Sequence, residues 1–409
     1  MNTICQFQDI DIYLLYYLDI KLIVRLTEIS KDQYSLLWNQ EFIKELYFIK
    51  NINSKYIIDF AAQCGYLEII KWIDLSINEF VYGRNTILFA SKNGHVTILN
   101  WFKSSCEFIY NENAIDYACL YGHLTILDWF DKSGYEFKYS TNAIDNAAEN
   151  GYVTILDWFD KSDYEFKYSV KAIDKAAQNG HISILDWFSK STYEFKYSVN
   201  AIDNAARNGH VNILDWFDKS IYEFKYSENA IDNVSYNGNV YILEWFKNSP
   251  YEFIYTEEAV DTASQYGRIN VLDWFRDSGY EFKYTEEAVD LASEYGQINV
   301  LDWFKNSNYI FKYSDPLYYA SYYNRVNVIE WFDKSTRELK RKCKFKFPYS
   351  SSIISIAASE GNIEVIQWFY KSNYEFKFSS MAIKNATRHN QTLVLQWFDD
   401  HRVELNLRY

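Results

Sequence analysis

From about Lys55 onward, apolar and polar positions recur in a cycle of 29 residues. One turn of the cycle runs from Asn142 to Val170. Its first apolar positions, Ala143, Ile144, Ala147 and Ala148, fall on one face of a short helix over 143–150. Gly151 follows, where a left-handed helix end takes glycine. Val153, Ile155, Leu156, Trp158 and Phe159 then return at helical spacing over 153–161, with Asp157 and Asp160 on the opposite face. Beyond them Tyr164, Phe166 and Tyr168 alternate with Glu165 and Lys167, the period-two pattern of an extended connector. Each unit therefore predicts helix, glycine turn, helix, extended arm.

Every step between tryptophans from Trp129 to Trp303 is 29 residues, and a glycine stands seven residues before almost every one. A fixed period of this size predicts stacked repeats, because a single hairpin cannot bury its own apolar face. Paired alanines should let neighbouring first helices approach closely. The Trp-Phe pairs are expected to be core. Units between Tyr139 and Tyr226 are nearly identical, as tandem duplication would leave them, and the units at Asn324 and Asn390 lack the glycine. Between Trp331 and Trp368 the step is 37, so the extra residues predict an irregular surface loop over 336–352. That loop carries Pro348 and a basic run from Arg337 to Phe347, readable as a localisation signal, an acidic-partner patch or a solvated loop.

AAENGY at 147–152, AAQNGH at 176–181 and AARNGH at 205–210, each followed by ILDWF, resemble the ankyrin repeat. The resemblance covers Lys55 to the C-terminus. It implies an all-α, ankyrin-like solenoid of about twelve helix-turn-helix repeats with a small N-terminal helical cap, and a structural role for His95, His123, His181 and His210. The chain departs from the family in two ways: NAID-type sequence stands for the usual opening, and the 29-residue unit is about four residues short of the ankyrin period. The shortening is expected in the projecting hairpin, which puts the family's usual binding mode in question. Composition and the tryptophan version of the unit are similar to ankyrin families of giant viruses.

The first fifty residues do not follow the cycle. Ile12, Leu14, Leu15, Leu18, Leu22, Ile23, Leu26 and Ile29 give a helical apolar pattern, with a break and new N-cap at Asp19. Tyr17 to Leu26, Ile29–Lys31, Leu36–Trp38 and Phe42–Leu46 are similar to an F-box, although the opening Leu-Pro is missing. The resemblance implies contact with a cullin-ligase adaptor through Leu14, Leu15, Leu18, Ile20, Leu22 and Ile23. A plain capping bundle over the first repeat is compatible with it. The domain reading is thus 1–50, F-box-like, and 51–409, repeats.

Composition narrows the function classes. Aromatic residues reach 20%, enough for extensive burial, and Gly and Pro number only 13 and 3, so flexible linkers are scarce. A net charge of −14 argues against nucleic acid and for a basic or neutral protein partner. The 5 cysteines are scattered without a CxxC pair, which points to a reducing, cytoplasmic setting (the host cytoplasm for a viral protein), with no disulfide framework or zinc site. No signal peptide and no membrane span is read. Neither a phosphate loop nor a nucleophile elbow nor a metal-ligand spacing occurs, so no enzyme, cofactor or metal is expected. The recurrent acids Asp116 to Asp290 are expected to be helix N-terminal charges or caps, and the Glu165/Lys167-type columns solvated ladders.

What remains is a monomeric protein-binding scaffold. The variable first-helix positions Tyr117, Asn146, Lys175, Asn204 and Asn233, continued by Thr262 and Leu291, would line the concave face of an ankyrin-like stack together with Leu120, Glu149, Gln178, Arg207, Tyr236, Gln265 and Glu294. With an F-box the protein would be a substrate-recognition adaptor of a cullin-type ubiquitin ligase; without one, a structural or decoy repeat protein.

Overall fold

Small residues decide how closely the first helices pack. In the computed structural model, which describes residues 54–76, 80–339 and 347–405, each alanine-bearing first helix lies against the first helix of the next pair within its own compact unit. Ala176, Ala177, Ala205 and Ala206 are wholly buried there. The described residues contain 24 helices and no strand, in the order the cycle predicts.

They fall into two compact units divided between Tyr168 and Ser169. The first unit holds α1 (Ser54–Cys64), α2 (Leu67–Ser76), α3 (Arg84–Lys92), α4 (Val96–Ser105), α5 (Asn113–Leu120), α6 (Leu124–Ser133), α7 (Thr141–Glu149) and α8 (Val153–Lys161). The second opens with α9 (Lys171–Gln178), α10 (Ile182–Lys190), α11 (Asn200–Arg207), α12 (Val211–Lys219), α13 (Asn229–Asn237) and α14 (Val240–Asn248). It continues with α15 (Glu258–Gln265), α16 (Ile269–Ser278), α17 (Glu287–Tyr295), α18 (Ile298–Asn306), α19 (Pro316–Tyr322) and α20 (Val326–Leu339). It ends with α21 (Ser351–Glu360), α22 (Ile363–Lys371), α23 (Ser380–Arg388) and α24 (Thr392–Asp400). Within each unit, odd helices pack side by side, and each packs on the even helix that follows it. Helices of eight to ten residues are too short to persist alone, so this packing is what holds them.

The repeat glycine is needed twice over. Gly180 has φ +77°, and a Cβ there would come within 2.9 Å of the His210 ring from the next pair. Where glycine is missing, Asn324 and Asn390 take the same left-handed conformation at φ 56°, asparagine being the side chain that best tolerates it. The residue after the glycine bonds backward. His95 Nε2 lies 3.1 Å from the Gln63 carbonyl, and Arg268 Nε donates to the Tyr236 carbonyl at 2.9 Å. Burial holds the His95 imidazole pKa below its usual value.

Three expectations change. First, the phenylalanines of the Trp-Phe pairs are core, with Phe217 and Phe246 each 1% exposed, but most tryptophans are only half-buried. The indole N–H is the reason: a fully buried donor needs a partner, and Trp129, Trp158, Trp216, Trp245, Trp274, Trp303 and Trp331 find one on the preceding even helix, at the rim. Trp216 Nε1 donates to Asp186 Oδ1 at 2.7 Å, and Trp245 Nε1 to Asp215 Oδ1 at 2.7 Å.

Second, the recurrent aspartates stand in the first turn of their helices, as N-terminal charges should, but their carboxylates bond beyond their own helix instead of capping it. Ser198 donates its N–H to Asp174 Oδ1 at 2.8 Å and its hydroxyl to Asp174 Oδ2 at 2.5 Å, while Ser198 Oγ accepts from the Asn200 N–H at 3.2 Å. The Asp174 carboxylate thus holds the serine just ahead of the next odd helix, whose hydroxyl in turn accepts from that helix's first amide. Ser140 on Asp116, Ser227 on Asp203, Thr256 on Asp232 and Thr285 on Asp261 repeat the arrangement. Burial raises the pKa of these aspartates against the lowering pull of the hydroxyl and amide donors.

Third, the irregular segment is shorter than 336–352, because α20 continues to Leu339. Thr336 is buried there and Arg337 pairs with Asp333 one turn back. The rest of the basic run, 340–346, lies outside the described residues, as do the first fifty residues with Leu14, Leu15, Leu18, Ile20, Leu22 and Ile23.

The connectors are extended, as their alternation predicts, and they build an aromatic layer. Phe195 stacks on Tyr222 at 3.9 Å and on Trp216 at 5.5 Å, both from the next pair. Lys225 lies 4.7 Å from the Tyr197 ring centre and 3.8 Å from Glu223, so its column is more than a solvated ladder: it adds a cation–π contact between pairs.

Candidate binding face

Frame positions repeat almost unchanged along the second unit, whereas four positions on the odd helices do not. The structure sets these in columns because i, i+4 and i+7 of one helix share a face, and adjacent odd helices lie side by side. The first column reads Lys171, Asn200, Asn229, Glu258 and Glu287. The next reads Lys175, Asn204, Asn233, Thr262, Leu291 and Tyr319. The third reads Gln178, Arg207, Tyr236, Gln265, Glu294 and Tyr322; the last, Asn179, Asn208, Asn237, Tyr266, Tyr295 and Tyr323. Along the unit the face therefore grades from lysine and amide to tyrosine and carboxylate.

Asn146, Lys175, Asn204 and Asn233 are half-buried in the structure, and Tyr117 is exposed. Asn146 Nδ2 reaches the Asp116 carbonyl at 3.4 Å, which spends one side of that residue on the frame. Lys175 Nζ donates to Gln178 Oε1 at 2.9 Å. Tyr117 and Asn146 belong to neighbouring odd helices of the first unit. Lys175, Asn204 and Asn233 belong to consecutive odd helices of the second and line one face there.

Sequence reasoning missed the densest part of that face. Tyr295, Tyr319, Tyr322 and Tyr323 are 39%, 37%, 37% and 45% exposed. Their rings are packed laterally. Tyr236 meets Tyr266 edge-on at 4.4 Å, Tyr266 lies 5.6 Å from Tyr295, and Tyr322 lies 4.8 Å from Tyr323. Carboxylates are interleaved. The Glu294 charge, then burial, pushes the Tyr323 phenol up. Burial, then the charges of Asp290 and Glu294, raises Tyr319. The signal that could have found the patch was the replacement of asparagine by tyrosine immediately before the repeat glycine, at Tyr266 and Tyr295.

Around the turns of α13 and α14 an open cleft of about 890 Å³ is lined by Arg207, Asn237, Asn239, Glu244, Asn270 and Asp273. Two of its amides are spent on the frame, Asn237 on the Arg207 carbonyl at 2.5 Å and Asn270 on the Gly238 carbonyl at 2.7 Å. Among the described residues no group of three His, Cys, Asp or Glu side chains is placed to hold a metal ion, and no helix is long and apolar enough to cross a membrane.

No protein-family model and no curated protein matches the chain. Among solved structures it is similar to the pentatricopeptide repeat protein PPR10 from maize, at 12% identity and a TM-score of 0.30, over 87% of this chain. The chain spans 58% of the length of that protein. The protein described here is a helical-repeat protein. The expectation that excluded nucleic acid is corrected on a physical ground, because whole-chain charge does not license it. That exclusion rested on a net charge of −14, which averages over all 409 residues and does not describe any one face.

Proposed function

We propose that the chain is a non-enzymatic scaffold whose odd-helix face holds a protein partner. One observation carries this reading: the buried frame is near-constant from pair to pair while the half-buried and exposed columns on the odd helices change, from Lys175 to Leu291 to Tyr319 in one of them. A frame selected only for folding has no reason to vary on one face. Repeat stacks offer such a face as a continuous contact surface.

Narrower readings rest on the sequence resemblances. AAQNGH and its copies support ankyrin kinship, in a short-period version similar to that of giant-virus families. The match of Tyr17 to Leu46 to an F-box supports a substrate-recognition adaptor of a cullin-type ubiquitin ligase, working in the cytoplasm.

Affinity capture from cell extract separates these parts. Asn204→Glu with Asn233→Glu is expected to lose the proteins held by the face and keep the ligase adaptor. Leu18→Asp with Ile23→Asp is expected to do the reverse. Unchanged capture by the Asn204/Asn233 variant would reject the scaffold reading, and absence of the adaptor from the wild-type capture would reject the ubiquitin link.

A further inference from the structure

Within the second unit, charge is distributed unevenly. Residues 169–227 carry 7 acids and 7 bases, net zero, whereas 228–325 carry 16 acids and 7 bases, net −9. The acidic stretch is the one whose odd helices present the tyrosines. Of its cations, Arg268 and Arg325 spend their Nε donors on the Tyr236 and Glu294 carbonyls, so they bond the frame at the turns. Tyrosine edges and faces with glutamates between them form a surface of defined chemistry. Aromatic faces attract a guanidinium or ammonium group through the ring quadrupole, and carboxylates beside them supply the counter-charge. The molecule already makes this contact internally, with Arg207 5.8 Å from the Tyr236 ring centre at the border of the patch. Tyrosine also offers a large, stiff contact area at low entropy cost, which is why it is enriched where proteins bind peptides.

We infer that the tyrosine–glutamate face of α15, α17 and α19 binds an extended, arginine- or lysine-bearing segment of a protein partner. The inference rests on the scaffold reading and adds the partner's chemistry. Rings on consecutive odd helices lie about one helix spacing apart, ~10 Å. An extended polyproline-II segment covers that distance in about three residues at ~3.1 Å each, and its three-residue turn returns every third side chain to the same side. The face therefore suits basic side chains recurring about every third residue, laid across the helices. A polyanion would meet Glu287 and Glu294 unfavourably on this surface.

Fluorescence anisotropy on the full chain tests it, with labelled nona-arginine, nona-glutamate and a twenty-nucleotide oligouridine as probes. Nona-arginine is expected to bind in preference to the other two. Tyr295→Ser/Tyr322→Ser/Tyr323→Ser, which leaves net charge unchanged, should weaken it about tenfold, the loss expected for removing two or three exposed cation–π contacts. Glu287→Gln/Glu294→Gln should weaken it comparably. Glu194→Gln/Glu223→Gln removes the same charge from the exposed connectors and should change it by less than about twofold, as screened surface charge predicts. Equal losses in the face and connector variants would mean bulk attraction only and overturn the proposal. Tighter binding of oligouridine, lost with the three tyrosines, would assign the face to single-stranded nucleic acid instead. A negative result here, with captured proteins still lost from the Asn204/Asn233 variant, would leave the scaffold standing and remove only its basic partner.

Discussion

The two layers of the second unit use opposite materials. Odd helices touch through alanine, serine and a buried carboxylate; even helices and connectors touch through phenylalanine, tyrosine and half-buried indole. Small residues bring backbones together and leave no slack, so the odd layer is held by shape and by the paired donors on each aspartate. Large rings fill the wider spacing between even helices, so that layer is held by buried area and ring geometry. The difference teaches where each layer is fragile. The aromatic layer should fail when volume is removed, and the alanine layer when volume is added.

Deleting a buried ring should have the largest effect. Phe217→Ala removes a side chain that is 1% exposed and is expected to cost about 3–5 kcal/mol, read as a shift in urea midpoint. Because contacts join neighbouring pairs, hydrogen exchange should rise first around α11 to α14 rather than throughout. A shift of under ~1 kcal/mol would contradict a core role for the phenylalanine. In the other layer, Ala206→Leu is expected to cost about 1–3 kcal/mol by overpacking, although it adds apolar surface. If it were neutral, the odd helices would have room to separate, and the contrast would collapse.

The smallest expected effect is a pH dependence confined to the alanine layer. Burial pushes Asp290 from 3.8 up to about 6; its donors are the Ser314 and Asp315 amides, without the hydroxyl that Asp203 receives from Ser227. The folded state then holds this proton more tightly than the unfolded chain does. Stability from this group is present at low pH and declines as pH rises between about 4 and 6. Asp290→Asn should flatten that decline in urea midpoints taken across the same range. An identical pH profile in wild type and variant would exclude Asp290 as its source.

Much of this was legible in the sequence, for identifiable reasons. The even helix read over 153–161 is α8 (Val153–Lys161), because periodicity and the glycine bracket both ends. The odd helix read over 143–150 begins two residues earlier, at Thr141, because the capping group is Ser140 and not the first apolar position. Partners across pairs were harder to see, since a period fixes where a residue stands and not what it faces. Yet the pairing has a signature: Asp116, Asp174, Asp203, Asp232 and Asp261 each precede their serine or threonine by 24 residues, and the bonded indoles follow their acceptors by 29 or 30. Exposure of the tryptophans followed from their N–H, a requirement that apolar patterning does not register. The tyrosine face was passed over because aromatic residues at helical spacing read as core.

The fixed 24-residue interval has a consequence for how such a chain can change length. Excising or copying a whole 29-residue segment within the regular stretch from Asp174 to Thr285 leaves each carboxylate there still aimed at a hydroxyl and each indole at an oxygen acceptor. Unequal crossover inside the gene would thus yield products whose bonds are already in register, and reshuffling the outward columns need not disturb a single one of them.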